Sequence, residues 1–123
     1  PIHLITNEAL LIYLKRLKPE GILAIHISNR YLNLQPVLKK MALKNDLKSL
    51  YVYDGAFDTK DRNNFLREAC TYVVMTRSTQ SIENLKEVKN KTWKEFASDL
   101  TDVELWSDSY SSIIPVVKFP QIR

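Results

Sequence analysis

Four side chains stand out for the chemistry they could do: His26, Asp58, Asp108 and Tyr110. His26 comes at the end of the apolar run "ILAIHI". Open α/β sheets bind ligands at the carboxyl ends of their strands, so an imidazole there is placed to meet one. The plainer reading is a core histidine with its hydrogen bonds satisfied. Asp58 belongs to the polar stretch "YDGAFDTKDRN", with Asp54 and Asp61 as further carboxylates. Its plainer reading is a solvated loop. Asp108 and Tyr110 fall in "WSDSYSS". An Asp in such a turn accepts backbone N–H bonds, and Trp106 beside it reads as a packing anchor.

Other chemistries find little support. Cys70 is the one cysteine, and neither His3 nor His26 is visibly paired with it as a base. It reads as a small buried filler. Two histidines and one cysteine at unrelated spacings make no metal signature. The net charge of +4 raises nucleic acid as a partner. Lys15, Lys39, Lys48, Lys86 and Lys94 are scattered over several segments, as on a solvated surface, so no nucleic-acid partner is expected.

These residues need elements to position them. The chain has 123 residues, 45% hydrophobic and 26% charged, which suits one folded domain spanning 1–123. No apolar run approaches the ~20 residues of a membrane helix, and the amino terminus lacks a signal-peptide pattern. Pro1 in place of Met reads as a cut in a longer protein.

Leu10, Tyr13, Leu14 and Leu17 recur at helical spacing, predicting a helix over Asn7–Lys18, with Thr6 as N-cap and Glu8 in the first turn. Pro19-Glu20-Gly21 ends it. Ile22–Ile27 is apolar on both alternating sets except at His26, the pattern of a strand buried on both faces. Ser28–Asn33 is a polar turn, with Ser28 and Asn29 on the rim. Asn33 can cap a second helix, which has Pro36 in its first turn, buries Leu34, Val37, Leu38, Met41 and Ala42, and ends near Asn45 and Asp46. Ser49–Asp54 and Thr71–Arg77 read as strands joined by the long connection Asp54–Glu68. Ser81–Leu100 is helical in character, broken near Asn90, with Trp93 and Phe96 facing inward. "ELWSDSYSSIIPVV" closes the chain in extended or turn-rich form. The first two strands form a βαβ unit, and the last two pair antiparallel. Three strands with two covered faces want a continuation, so the edge of Ile22–Ile27 is expected to seek a partner, a second copy of the chain included.

With these elements in place, "PIHLITNEALLIYLKRLKPEGILAIHISNRYLNLQPVL" resembles the C-terminal half of spermidine synthase-like proteins, which have the class I S-adenosylmethionine-dependent methyltransferase fold. "NFLREACTYVVMTR" and "LWSDSYSSIIPVV" continue the resemblance. The second is similar to the closing Trp-Ser/Thr-Asp-Asp-Tyr-Ser segment of a subgroup often fused to transmembrane segments, with Ser109 at the second acid. The resemblance implies an α/β fold: the C-terminal part of a Rossmann-like sheet, with Ile22–Ile27 as fifth strand, Ser49–Asp54 as sixth and Thr71–Arg77 as the antiparallel seventh. It implies a cytoplasmic aminopropyltransferase in polyamine biosynthesis, with this domain on the cytoplasmic side where the parent is membrane-attached. His26, Asp58, Asp108 and Tyr110 then become substrate-binding candidates for a polyamine-type amine.

The resemblance also implies that the catalytic aspartate and the cofactor cradle precede Pro1. Only Gly21 and Gly55 occur, in no G-x-G turn, and a nucleotide in such a sheet needs close backbone approach at a helix N-terminus. No cofactor is expected on this chain. Decarboxylated S-adenosylmethionine, or S-adenosylmethionine for methyl transfer, is implied for the parent, and the chain alone is expected to be inactive. The alternatives are a methyltransferase fragment and a non-catalytic interaction or dimerisation module.

Overall fold

The structure, a computed structural model, describes residues 2–28, 31–54 and 70–118. A short 3-10 turn, Ile2–Leu4, leads into α1, Asn7–Arg16. Then follow β1 (Leu23–His26), α2 (Gln35–Lys44), β2 (Lys48–Asp54), β3 (Cys70–Thr76) and α3 (Thr79–Lys86). A second 3-10 turn, Ile114–Val116, lies near the end. The described residues form a mixed α/β structure of three helices and a three-stranded antiparallel sheet. Among the described residues no helix is long and apolar enough to cross a membrane.

α1 forms where the spacing of its leucines predicts, two residues shorter at its end. Leu10 and Leu14 are buried, and Thr6 caps the helix by accepting the Ala9 N–H at 3.3 Å. Lys15 and Arg16 close it with the favourable sign for the helix dipole. Gly21 is a packing glycine: a Cβ there would stand 2.8 Å from Leu17 Cδ1 and 3.0 Å from the Lys18 carbonyl.

α2 starts less regularly. Its N-cap position is Leu34, which makes no side-chain cap bond; the neighbouring Asn33 Oδ1 accepts the Gln35 N–H at 3.2 Å. Its end is a full Schellman motif. The Leu47 N–H reaches the Ala42 carbonyl at 2.9 Å, and the Asp46 N–H reaches Leu43 at 3.3 Å. Asp46 takes a left-handed φ of 54° to allow this.

The sheet order is β1-β3-β2, and β3 pairs antiparallel with both neighbours. The expected antiparallel pairing of the last two strands is present, with Leu50 opposite Val74 and Tyr51 opposite Val73. The first two strands run in the same direction with α2 between them, but they are not neighbours, because β3 occupies the place between them. The burial pattern gives the reason. Val73, Val74, Met75 and Thr76 are all buried, so β3 is the strand covered on both faces. Ile22–Ile27 was expected in that role. β1 does lie at an edge of the sheet, as the expected need of a partner implies, but it exposes Ala24 and His26.

One sheet face carries the main core. Val73, Met75 and Ile27 pack with Leu10 and Leu14 of α1, with Val37, Leu38 and Met41 of α2, and with Trp106 and Val116 from the tail. The opposite face is covered at one end only, where Leu50 and Val74 meet Ile82, Leu85 and Trp93. No described element covers Ala24 and His26 on that face.

The helix expected over Ser81–Leu100 stops at Lys86. The following residues become a strap across the outer edge of β2. Lys94 and Tyr51 exchange two backbone hydrogen bonds, both 2.8 Å. Trp93 turns to the α3 side of the sheet, while Phe96 joins the main core and stacks on Tyr51 at 5.8 Å. A helix would put both rings on one flank, since i and i+3 share a face. Reaching opposite faces of the sheet requires extended chain.

The strain at Asp46 gives a direct test. A non-glycine left-handed residue costs roughly 1–2 kcal/mol, less for Asp than for branched side chains. Asp46→Gly is expected to hold or raise the melting temperature, and Asp46→Val to lower stability by about 1–2 kcal/mol, both read by thermal and urea unfolding.

Candidate functional site

His26 is not a core histidine. It is exposed at the end of β1, and its ring leans on Tyr72 of β3 with centroids 4.9 Å apart. The register places the two residues opposite each other. Next in line, Ser28 accepts the Thr71 N–H on its hydroxyl at 2.8 Å and so ties the end of β1 to β3. His26 lines a cleft of about 470 Å³ that runs along the outer edge of β1. Its walls come from Leu4, Ile5, Tyr13, Leu32 and Leu34.

Asp108 belongs to a second arrangement, built on the N-terminus of α1. The Trp106 carbonyl accepts the Asn7 N–H at 2.8 Å. The Thr6 hydroxyl donates to Asp108 Oδ1 at 2.6 Å, and the Asp108 N–H returns to Glu8 Oε2 at 3.0 Å. Asp108 was expected to accept backbone N–H bonds within its own turn. Its carboxylate instead takes a hydroxyl from 102 residues away. The turn closes through the backbones of Ser107 and Tyr110, bonded in both directions at 2.8 and 3.2 Å. Trp106 is the expected anchor, 1% exposed in the main core, and Thr6 is equally buried.

Asp108 also lines a polar cleft of about 530 Å³ with His3, Thr6, Ser107 and Ser111. This cleft and the β1-edge cleft share Ile2 as a wall. Tyr110 is half-exposed at the turn and lines neither. Asp58 and Asp61 lie outside the described residues, as does Asn29. Asp54 is held by Lys91 at 2.7 Å, an ion pair partly open to solvent and worth about 0–1 kcal/mol. Cys70 is only partly buried at the start of β3. Among the described residues no group of three His, Cys, Asp or Glu side chains is placed to hold a metal.

Thr6 and Glu8 are the residues that sequence reasoning missed at this site. Thr6 was assigned a cap and Glu8 a dipole partner, and both roles hold. Their second role, gripping Asp108, leaves no mark in the sequence because the partner is some hundred residues distant.

Gly21 precedes β1 and is filled in by Leu17. The connection after β1 enters α2 with Leu34 at the N-cap and Pro36 in the first turn, without glycine. Comparison with known proteins finds no matching family model, no matching curated protein and no matching solved structure.

The Thr6–Asp108–Glu8 clasp makes its own prediction. Thr6→Val and Asp108→Ala each remove one partner from a bond with a buried hydroxyl, and each is expected to cost about 1–2 kcal/mol. The double variant is expected to cost clearly less than the sum, because the two changes delete one shared interaction. Urea unfolding of the four proteins measures it; strict additivity would show the bond to be energetically idle.

Proposed function

We propose that this chain is the trailing part of a spermidine synthase-like transferase domain, whose cofactor-binding half is supplied by residues outside this sequence. The observation that carries the reading is the sheet. Two strands run in the same direction with a helix between them, an antiparallel strand pairs with both, and among the described residues the β1 edge has no pairing partner, where a larger sheet would continue. The order of elements agrees with the fifth, sixth and seventh strands that the sequence resemblance implies.

In that setting the chain contributes part of an amine pocket rather than the reacting machinery. With a strand of the upstream half continuing the sheet along β1, the His26 imidazole at the cleft rim and the aliphatic wall that strand leaves open suit an amine carried on a methylene chain. His26 is the residue of this chain assigned to the amine. Asp108 is assigned to architecture, since its carboxylate is committed to Thr6. The overall reaction would be transfer of an aminopropyl group to that amine, with the base that deprotonates it located upstream.

The reading is tested in two steps. Titration calorimetry of this chain with S-adenosylmethionine and with its decarboxylated form is expected to show no binding, and tight binding of either would overturn the assignment. In the protein carrying its upstream half, chromatography of polyamine products is expected to show aminopropyl transfer. There His26→Ala is expected to raise KM for the amine about tenfold, the effect of losing roughly 1.4 kcal/mol. Methyl transfer in place of aminopropyl transfer would replace the proposed reaction while keeping the fold.

A further inference from the structure

The two edges of the sheet are treated differently. The β2 edge is blocked by the Lys94 strap, while the β1 edge has no pairing partner among the described residues. Which backbone groups it presents follows from one hydrogen bond. The Ile27 N–H reaches the Thr71 carbonyl at 2.9 Å, so Ile27, Ile25 and Leu23 direct their backbone groups at β3. By the alternation of an antiparallel ladder, Ala24 and His26 direct theirs outward. These outward groups meet the cleft of about 470 Å³.

The lining of that cleft restricts what can occupy it. Among the described residues no Asp, Glu, Lys or Arg lines it, so those residues do not select an acidic or a basic partner. An added strand would need apolar side chains on the flank of Leu4, Ile5, Tyr13 and Leu34, and small or polar ones on the open flank. β1 itself has this pattern, with Leu23, Ile25 and Ile27 on the core side and Ala24, His26 and Ser28 on the open side. β2 begins with Lys48 and ends with Asp54, and β3 is already paired on both sides. Two chains of net charge +4 repel in general, and this uncharged edge lets them meet with no like charges opposed across the contact.

We propose that the open edge receives β1 of a second copy of this chain, antiparallel, about a two-fold axis at Ile25. Ala24 of each copy then pairs with His26 of the other through both backbone bonds, and the two sheets join into one of six strands. The axis stands perpendicular to the sheet, so both core faces lie on the same side. Ile2 and Leu4, 40% and 48% exposed in the single chain, come to lie beside the seam. The proposal does not rest on the transferase reading. In a longer protein a preceding strand would compete for the same edge.

The test uses the chain as it stands. Sedimentation over a concentration series is expected to show a dimer that dissociates on dilution. The double variant Ala24→Lys/His26→Lys puts four ammonium groups across the joint on exposed positions. It is expected to weaken the dimer at least about tenfold with unchanged circular dichroism and melting of the single chain. Amide hydrogen exchange reads the register on the unmodified protein. The Ala24 and His26 amides should gain protection as the dimer forms, while the Ile25 amide is protected in monomer and dimer alike. A chain monomeric at about 100 μM, far above the micromolar range of ordinary specific contacts, overturns the proposal. So does a dimer indifferent to the lysines, or one in which Ala24 and His26 exchange freely.

Discussion

The whole arrangement turns on one strand lying between two others. β3 pairs along its length with β2 and along half of it with β1, and its side chains are buried to either side. Val73 and Met75 anchor the layer shared with α1 and α2, while Val74 anchors the smaller cluster under α3. Removing apolar volume there would strike both clusters at once, and core truncations of this kind cost about 2–5 kcal/mol. β1 and β2 have no hydrogen bonds to each other, so their common direction and spacing exist only through β3. The position of His26 follows from the same pairing, since Tyr72 fixes both its register and its ring contact.

A second constraint closes the molecule at long range. The tail returns to α1 and satisfies its N-terminus: Trp106 takes one free helix N–H, and Asp108 grips the capping hydroxyl. An N-terminus carries free donors and a partial positive charge, so a carboxylate and a carbonyl both fit there. Trp106, inserted in the main core two residues before Asp108, adds apolar burial to the polar contact. Val116 follows it into the same core, and its carbonyl accepts the Asn33 N–H at 2.7 Å. The tail therefore holds down both α1 and the approach to α2. Element order along the chain becomes a closed structure at these two places.

Much of this was legible in the sequence where the signal was local. The leucine spacing of α1, its Thr6 cap, the Asn45-Asp46 end of α2 and the three strands all depend on neighbours within a few residues. What misled was an apolar run read without its partners. "ILAIHI" is apolar enough for a central strand, yet Ala24 and His26 face no layer, because α3 covers only the other end of that face. Centrality is decided by which strand the others can both reach, and β3 wins by burying four residues in succession. Trp93 and Phe96 misled in the same way, since a spacing of three fits a helix and equally fits a strap whose rings part to opposite faces. The Thr6–Asp108 contact was beyond local reading, and the residues around Asp58 lie outside the described structure.

The difference between the two edges connects the fold to function. An exposed strand edge is a liability that proteins usually blunt with charge, proline or cover. β2 shows such management: Lys48 and Asp54 mark its ends, and the Lys94 bridge covers its middle. β1 shows none. It is short and uncharged, it turns two residues' backbone groups into an apolar cleft, and its only ring-bearing side chain sits at the rim of that cleft. A strand of four residues leaves little to gain by remaining unpaired, since each outward amide and carbonyl competes only with water. Both readings of this chain therefore converge on the same surface. Whether a preceding strand or a second copy lies there, the added strand would carry side chains beside His26, and the shape of any amine pocket would be set by that neighbour.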